Sequence, residues 1–295
     1  MDEFALINEV VKGLGDQAAG RWIDLGPGDD AALIAQTPGC QHVASIDTLV
    51  EGVHFPVGCA PEDIGYRAIM VSMSDLAAMA AVPRFVLVAL TLPNADGTWA
   101  GRLAQGMSAA AKASDTYLCG GNIAKGELSI TVSVHGEVPV GSAVTRSTAQ
   151  VGDKIFVSGE LGGAAACVRG QEFDFTEPMN PRQQRYINPK ARFDLQRILR
   201  DSAHAAIDVS DSLVADMDHI CTASNVRAEL DQHAIPLCAG AVLEDALYGG
   251  DDYEILCTAA EPLPGLTCIG EVLHGEGVWM NGTRLQAKGF NHFEH

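Results

Sequence analysis

Eight aspartates in this 295-residue chain stand beside glycines or inside apolar runs rather than on solvated faces. They are Asp29 and Asp30 in GPGDDAALI, Asp47 in ASIDTLV, Asp75 in MSDLAAM, Asp208 and Asp211 in AIDVSDSL, and Asp251 and Asp252 in YGGDDYEIL. An ionised carboxylate withdrawn from water without a partner costs several kcal/mol, so each of these wants a cation. Only Arg67, Lys125 and Arg146 stand near the motifs in sequence. Divalent metal is the economical alternative, and an all-oxygen donor set selects Mg2+ or a similarly hard ion. Taken singly, Asp29 or Asp30 reads equally well as a cap before Ala31, and Asp211 as a cap at a helix start. Taken together, acids at strand ends and helix starts favour a metal site, because ligands of α/β folds gather at such ends. An EF-hand fits poorly, since the run from Asp208 has Leu213 where the calcium loop needs its turn glycine.

Two glycine-rich pieces accompany the acids. Cys119-Gly120-Gly121-Asn122 is expected just before a turn, and Gly159-Glu160-Leu161-Gly162-Gly163 leads into a helix. Both bring backbone amides within reach of phosphates. There is no GxxxxGK[ST] motif and no GxGxxG after a strand, so neither common nucleotide fingerprint is present.

The elements that must position these residues alternate along the first half. Residues 43–49 read as a strand, and Pro61 opens a helix with Glu62 and Asp63 in its first turn. Ile64, Ala68, Ile69, Met73, Leu76 and Ala77 recur at helical spacing until Pro83, where the pattern is expected to end. Residues 85–92 are a short buried strand, 99–113 a small-residue helix, and 128–138 an alternating strand that offers an edge or an apolar face for association. A linker follows at about 140–152. Beyond it come a strand at 154–158, a polar surface loop at 171–186, and a helix from the Asn188-Pro189 cap to near Ser202. A strand ends at 207–209, helices cover 213–223 and 241–248, and a strand covers 253–258. The expected fold class is α/β with mixed sheets, in two domains at 1–140 and 150–295.

The charge balance limits the partners. Lys and Arg total 19 against 38 Asp and Glu, a formal charge of −19. Such a surface repels nucleic acid and anionic membrane. Asp75 and Arg84 interrupt the longest apolar region, so no membrane span is expected. The start MDEFALINEV has acids where a signal peptide needs bases. No two of the eight cysteines lie closer than eleven residues, which leaves no zinc knuckle and suits reduced core thiols. A cytoplasmic protein is expected.

Seven segments, in order, carry a resemblance: GPGDDAAL, SIDTLVEGVHF, SDLAAMAAVP, CGGN, TRSTAQVGDKIFVSG, AIDVSDSLVAD and GGDDYEI, with KGFNHF near the C-terminus. Over nearly its whole length the chain resembles the thiamine-monophosphate kinases of the aminoimidazole ribonucleotide synthetase-like superfamily. The resemblance implies a two-domain fold, a homodimer paired through the N-terminal domains, and the reaction ATP + thiamine phosphate → ADP + thiamine diphosphate. It implies several Mg2+ ions held by Asp30, Asp47, Asp75, Asp208 and Asp211, with oxygens of Ser45 and Ile46 and the amide of Asn122. It places Gly120, Gly121, Arg146 and Ser210 on ATP, and His54, Asp251 and Phe290 on thiamine phosphate.

Three positions depart from the family pattern. Asn122 stands where an aspartate is common, Ser212 where glycine is usual, and Asp251 where glutamate is usual. The first removes a charged ligand, which keeps open a non-catalytic nucleotide- or metal-binding homologue. Another ATP-dependent enzyme of the superfamily, such as aminoimidazole ribonucleotide synthetase or selenophosphate synthetase, is the remaining alternative, although the absence of a Cys- or Sec-bearing Gly-rich N-terminal loop speaks against the latter.

Overall fold

The computed structural model describes residues 2–20, 22–176 and 178–289. Phe290 lies outside the described residues. The chain divides into two units, Met1–Leu76 with Ala81–Gly141, and Ala77–Ala80 with Ser142–His295.

The first unit opens with α1 (Glu3–Leu14), where the Asp2 carboxylate accepts the Ala5 amide as an N-cap. The short strands β1 (Ile23–Leu25) and β2 (Leu33–Ile34) pair with each other. β3 (Cys40–Val50), α2 (Pro61–Ala78), β4 (Val82–Leu92), α3 (Gly97–Ala113), β5 (Tyr117–Lys125) and β6 (Ser129–Pro139) follow. The sheet order is β3-β6-β4-β5. Only β4 and β5 run parallel, because α3 returns the chain between them as a parallel pair requires. Helices α2 and α3 meet backbone to backbone. A Cβ on Gly65 would fall 2.1 Å from the Leu103 carbonyl oxygen, and one on Gly106 would fall 1.9 Å from that of Glu62.

Three expectations change here. The CGGN segment is not ahead of a turn but inside β5, paired with β4. Pro83 lies within β4, beside an irregularity in its pairing with β6, which is where a strand tolerates the missing amide. β6 is bonded on both sides, so the sheet's edges belong to β3 and β5. The outward face of β6 is polar, carrying Ser129, Thr131, Ser133, His135 and Glu137.

The second unit contains β7 (Lys154–Val157), α4 (Gly163–Arg169), α5 (Pro181–Ile187), a 3-10 turn at Phe193–Leu195 and α6 (Gln196–Ser202). It continues through β8 (Ala205–Asp208), α7 (Leu213–Ser224), β9 (Arg227–Leu230), α8 (Leu243–Tyr248), β10 (Ile255–Ala259), β11 (Thr267–Leu273), β12 (Gly277–Met280) and β13 (Thr283–Arg284). Its seven strands stand in the order β13-β12-β9-β11-β7-β10-β8. Ile155, Val157, Ile207, Leu256, Ile269 and Val278 pack there with Met217 and Ile220 of α7.

The helix expected from Asn188-Pro189 does end at Ser202, as α6, but it starts only at Gln196 after the 3-10 turn, and Asn188-Pro189 does not cap it. Asn180 caps α5, accepting the Gln183 amide, while the Gln183 side chain accepts the Asn180 amide; Asn188 instead closes that helix. The expected loop at 171–186 therefore contains a helix, held by a reciprocal capping box.

Candidate functional site

In the first unit, β3 alternates. Val43, Ser45, Asp47 and Leu49 turn inward, while Ala44, Ile46 and Thr48 are exposed. Asp75 comes from α2, and the Ser45 hydroxyl donates to it at 2.5 Å. Burial pushes the Asp47 carboxyl above the usual range, the charge of Asp75 pushes it further, and a hydrogen bond from Ser72 opposes both. Strand and helix thus press two carboxylates into mutual repulsion among hydroxyl groups, an arrangement that a hard cation relieves. Asp30 sits in an exposed turn whose amide is accepted by the Asp29 side chain at 2.8 Å. Asp29 is thus the turn cap. Among the described residues, the carboxylates of Asp30, Asp47 and Asp75 do not close within 4.8 Å of one another.

Sheet register decides what the glycines do. Asp47 pairs with Val132, Val132 with Val88, and Val88 with Gly121. A Cβ on Gly121 would fall 1.9 Å from the Val88 carbonyl oxygen, so only glycine fits. The neighbouring row runs Thr48, Thr131, Ala89, Asn122. It belongs to the open face, with Ile46 and Leu87, and so Asn122 is on the other side of the sheet from Asp47. Ile46 shares that open face, and with a hydrocarbon side chain it has only its backbone oxygen to offer a metal. Gly120 pairs with Leu87 in the row of Ile46. The Nδ1 of His54 accepts the Val50 amide at 3.0 Å, so the neutral ring carries its proton on Nε2. Arg67, almost wholly buried, donates to the His54 carbonyl.

In the second unit, β8 ends at the buried Asp208, and Val209, Ser210 and Asp211 turn into α7. The 249–254 segment is stitched to this turn. Asp251 and Tyr253 donate their amides to the carbonyls of Ser210 and Val209, and Val209 donates to Glu254, each at 2.8 Å. A Cβ on Gly250 would fall 2.2 Å from the Ser210 carbonyl oxygen, which requires that glycine. Asp251 (φ 75°) and Tyr253 (φ 52°) both take left-handed backbone, a conformation unfavourable for side chains other than glycine. Ser210, Asp211 and Asp251 therefore share one stitched turn. Arg146 is exposed, and among the described residues its guanidinium has no ion-pair partner, which suits a group awaiting an anion.

Three buried carboxylates outside the expected site residues brace the second unit. Glu254, buried, is gripped by Arg185 and by Arg192 and receives the Ser158 hydroxyl. Asp252 accepts the Gly162 amide at 2.8 Å, fixing the glycine-rich turn before α4, and burial pushes its carboxyl up to about 7. Asp216, buried in α7, accepts three amides of the acid turn. In the sequence Asp216 stands inside the apolar run LVADMDHI, four residues after Ser212.

A family model, AIR synthase related protein, N-terminal domain, matches residues 28–138. The chain is 36% identical over 301 residues to a thiamine-monophosphate kinase of Salmonella typhimurium, covering 92% of each chain. It is similar to the crystal structure of thiamine-monophosphate kinase from Stenotrophomonas maltophilia, at 38% identity and TM-score 0.86, covering 97% of this chain and 98% of that one. It is also similar to AaThiL complexed with AMPPCP and TMP, at 32% identity and TM-score 0.81, covering 99% and 97%.

Proposed function

The chain belongs to the thiamine-monophosphate kinase family, and from that membership we propose how its residues divide the work. The protein transfers the terminal phosphoryl group of ATP to thiamine phosphate, giving thiamine diphosphate and ADP. The observation that carries this assignment is the full-length likeness to a relative complexed with AMPPCP and TMP.

The nucleophile is a phosphate oxygen, already ionised near neutral pH, so no general base is needed. The difficulty is the approach of two anions. Mg2+, when bound, supplies the positive charge that screens this repulsion and stabilises the transition state. The residues present fit such ions. Asp47 and Asp75 repel one another until a cation joins them, and their hydroxyl surroundings provide only oxygen donors. We assign Asp30, Asp47, Asp75, Asp208 and Asp211 as ligands, with the hydroxyl of Ser45 and the carbonyl of Ile46. Arg146 adds a fixed guanidinium to the nucleotide phosphates, with Gly120, Gly121 and Ser210 around ATP. His54, Asp251 and Phe290 face thiamine phosphate, Asp251 attracting the cationic thiamine and Phe290 stacking on an aromatic ring.

We further take the enzyme to be a homodimer. The open face of the four-stranded sheet exposes Ile46 at 63% and Leu87 at 37%, and covering this face would remove apolar surface from water. Asn122 and Gly120 lie in rows of that face, so they would join a site across the pairing. No described helix is long and apolar enough to cross a membrane. All eight cysteines are free thiols, and we place the enzyme in the cytoplasm.

The test incubates the purified protein with ATP, MgCl2 and thiamine phosphate and measures ADP and thiamine diphosphate. Equal amounts of both, abolished by a chelator, are expected. ADP formation without thiamine diphosphate, or ATP binding without turnover at any Mg2+ concentration, would overturn the assignment.

A further inference from the structure

The turn that carries Asp211 is organised around a carboxylate from the helix that follows it. One oxygen of Asp216, Oδ2, accepts the amides of Ser210, Asp211 and Ser212 at 3.0, 3.1 and 3.1 Å. Asp216 is only 1% exposed. Three successive amides bent round one oxygen make a concavity that favours an anion, and here the chain fills it with its own side chain. The Ser210 carbonyl is already taken by the Asp251 amide. With amides drawn inward on one side and the carbonyl held on the other, the turn has one backbone course between Asp208 and α7. The ligand atoms of Asp211, Asp216 and His219 lie within 4.8 Å of one another, but three hydrogen bonds commit Oδ2 to the turn.

We propose that Asp216 is a positioning residue for metal binding: it holds the 210–212 backbone so that Asp211, beside Asp208, is preset to receive Mg2+. This rests on the reading of Asp208 and Asp211 as metal ligands. Supports of this kind commonly change metal affinity by roughly 10–100-fold when removed.

The experiment compares Asp216→Ala and Asp216→Asn with the natural full-length protein. Mn2+ alone, without nucleotide, is titrated by electron paramagnetic resonance, and amide hydrogen exchange is followed in the metal-free protein. In Asp216→Ala, Mn2+ should bind roughly 10–100-fold more weakly, and the amides of Ser210, Asp211 and Ser212 should exchange faster, with β3 unchanged. Asp216→Asn, whose amide oxygen still accepts hydrogen bonds, should recover most of the affinity and protection. At saturating Mg2+ the KM for thiamine phosphate should match the natural enzyme. Faster exchange with unaltered Mn2+ affinity would reduce Asp216 to a structural role and overturn the proposal. Equal losses of affinity in both variants, with protection kept in Asp216→Asn, would make it a ligand instead. Natural Mn2+ affinity in both Asp208→Asn and Asp211→Asn would overturn the metal assignment of this turn itself. If Asp216→Ala does not fold, Asp216→Asn decides: affinity lost despite retained protection overturns the proposal, and affinity retained with protection supports it.

Discussion

The hydroxyl of Ser212 donates to the carbonyl of Lys288 at 2.9 Å while accepting the amide of Ala215 at 3.1 Å. One side chain therefore caps α7 and ties down the segment that precedes Phe290. Gly289 lies against the same turn, where an added Cβ would come 3.1 Å from the Asp211 Cβ. The glycine usual in the family has no hydroxyl to do either task. Ser212 itself has extended backbone (φ 172°), which any residue adopts.

Two substitutions separate these roles. Ser212→Ala should lose the cap, lowering stability by about 1 kcal/mol, whereas Ser212→Gly should lose only a few tenths. Both free Lys288, so both should raise the KM for thiamine phosphate, by up to roughly tenfold from the lost hydrogen bond. Denaturant titration and steady-state kinetics check this. An unchanged KM in both would detach the C-terminal segment from substrate binding.

Asp47→Asn should separate stability from activity. It removes the repulsion between Asp47 and Asp75, which add to one another's cost in a half-buried place. The metal-free variant should melt at a higher temperature than the natural protein, and added Mg2+ should raise its Tm less. Turnover should fall by orders of magnitude. Near-normal activity would strip Asp47 of its ligand role.

Arg146→Ala should raise the KM for ATP more than that for thiamine phosphate. A lost charge-assisted contact corresponds to about 1.5–3 kcal/mol. Because the guanidinium is exposed and without an ion pair among the described residues, Tm should not move. A fall in Tm with unchanged ATP affinity would make the residue structural.

Asn122→Asp should lower the Mg2+ concentration needed for half-maximal rate and change the maximal rate modestly, since a carboxylate binds Mg2+ better than a neutral amide. Asn122 is exposed and on the opposite sheet face from Asp47. The metal-free Tm should therefore stay where it is. An unchanged Mg2+ requirement would exclude the position from the metal site.

Asp252 should make stability depend on pH. Burial raises its folded pKa from 3.8 to about 7, so between those values the folded protein keeps a proton that the unfolded chain has released. Stability then falls as pH rises through that window, by at most about 1.4 kcal/mol per pH unit, and levels off above it. Below 3.8 both states are protonated and the term vanishes. Asp252→Asn should flatten this slope, gaining on the natural protein from pH 4 to pH 7. Parallel melting curves for the two proteins across that range would refute the raised pKa.

What the sequence determined by itself was local and contiguous. Helices α2, α3 and α7 and strands β3 and β6 announce themselves because burying one face imposes a period of about 3.6 or of 2 on neighbouring residues, and β4 does so as a short continuous apolar run. The acid motifs were legible for a related reason: carboxylates beside glycines or within apolar runs have no cheap place in a folded chain. The reciprocal cap of Asn180 and Gln183 was also written locally, yet Asn188-Pro189 offered a competing signal of the same kind. Strand β9 alternates over only four residues, β11 lacks alternation, and β12 and β13 are short, so little near them in sequence marks them.

Tertiary structure alone decided the relations between distant residues. Gly121 must be glycine because β4 places the Val88 carbonyl against it, and nothing in CGGN encodes that neighbour. Asp47 repels Asp75 because a strand and a helix converge. Asn122 is separated from Asp47 by the thickness of a sheet whose register is set through β6 and β4. The Asp251 amide reaches the Ser210 carbonyl because β10 pairs with β8 and brings the 249–254 segment beside the turn. Repulsion, hydrogen bonding and steric exclusion act over a few ångströms of space, and only the packed chain determines which residues share that space.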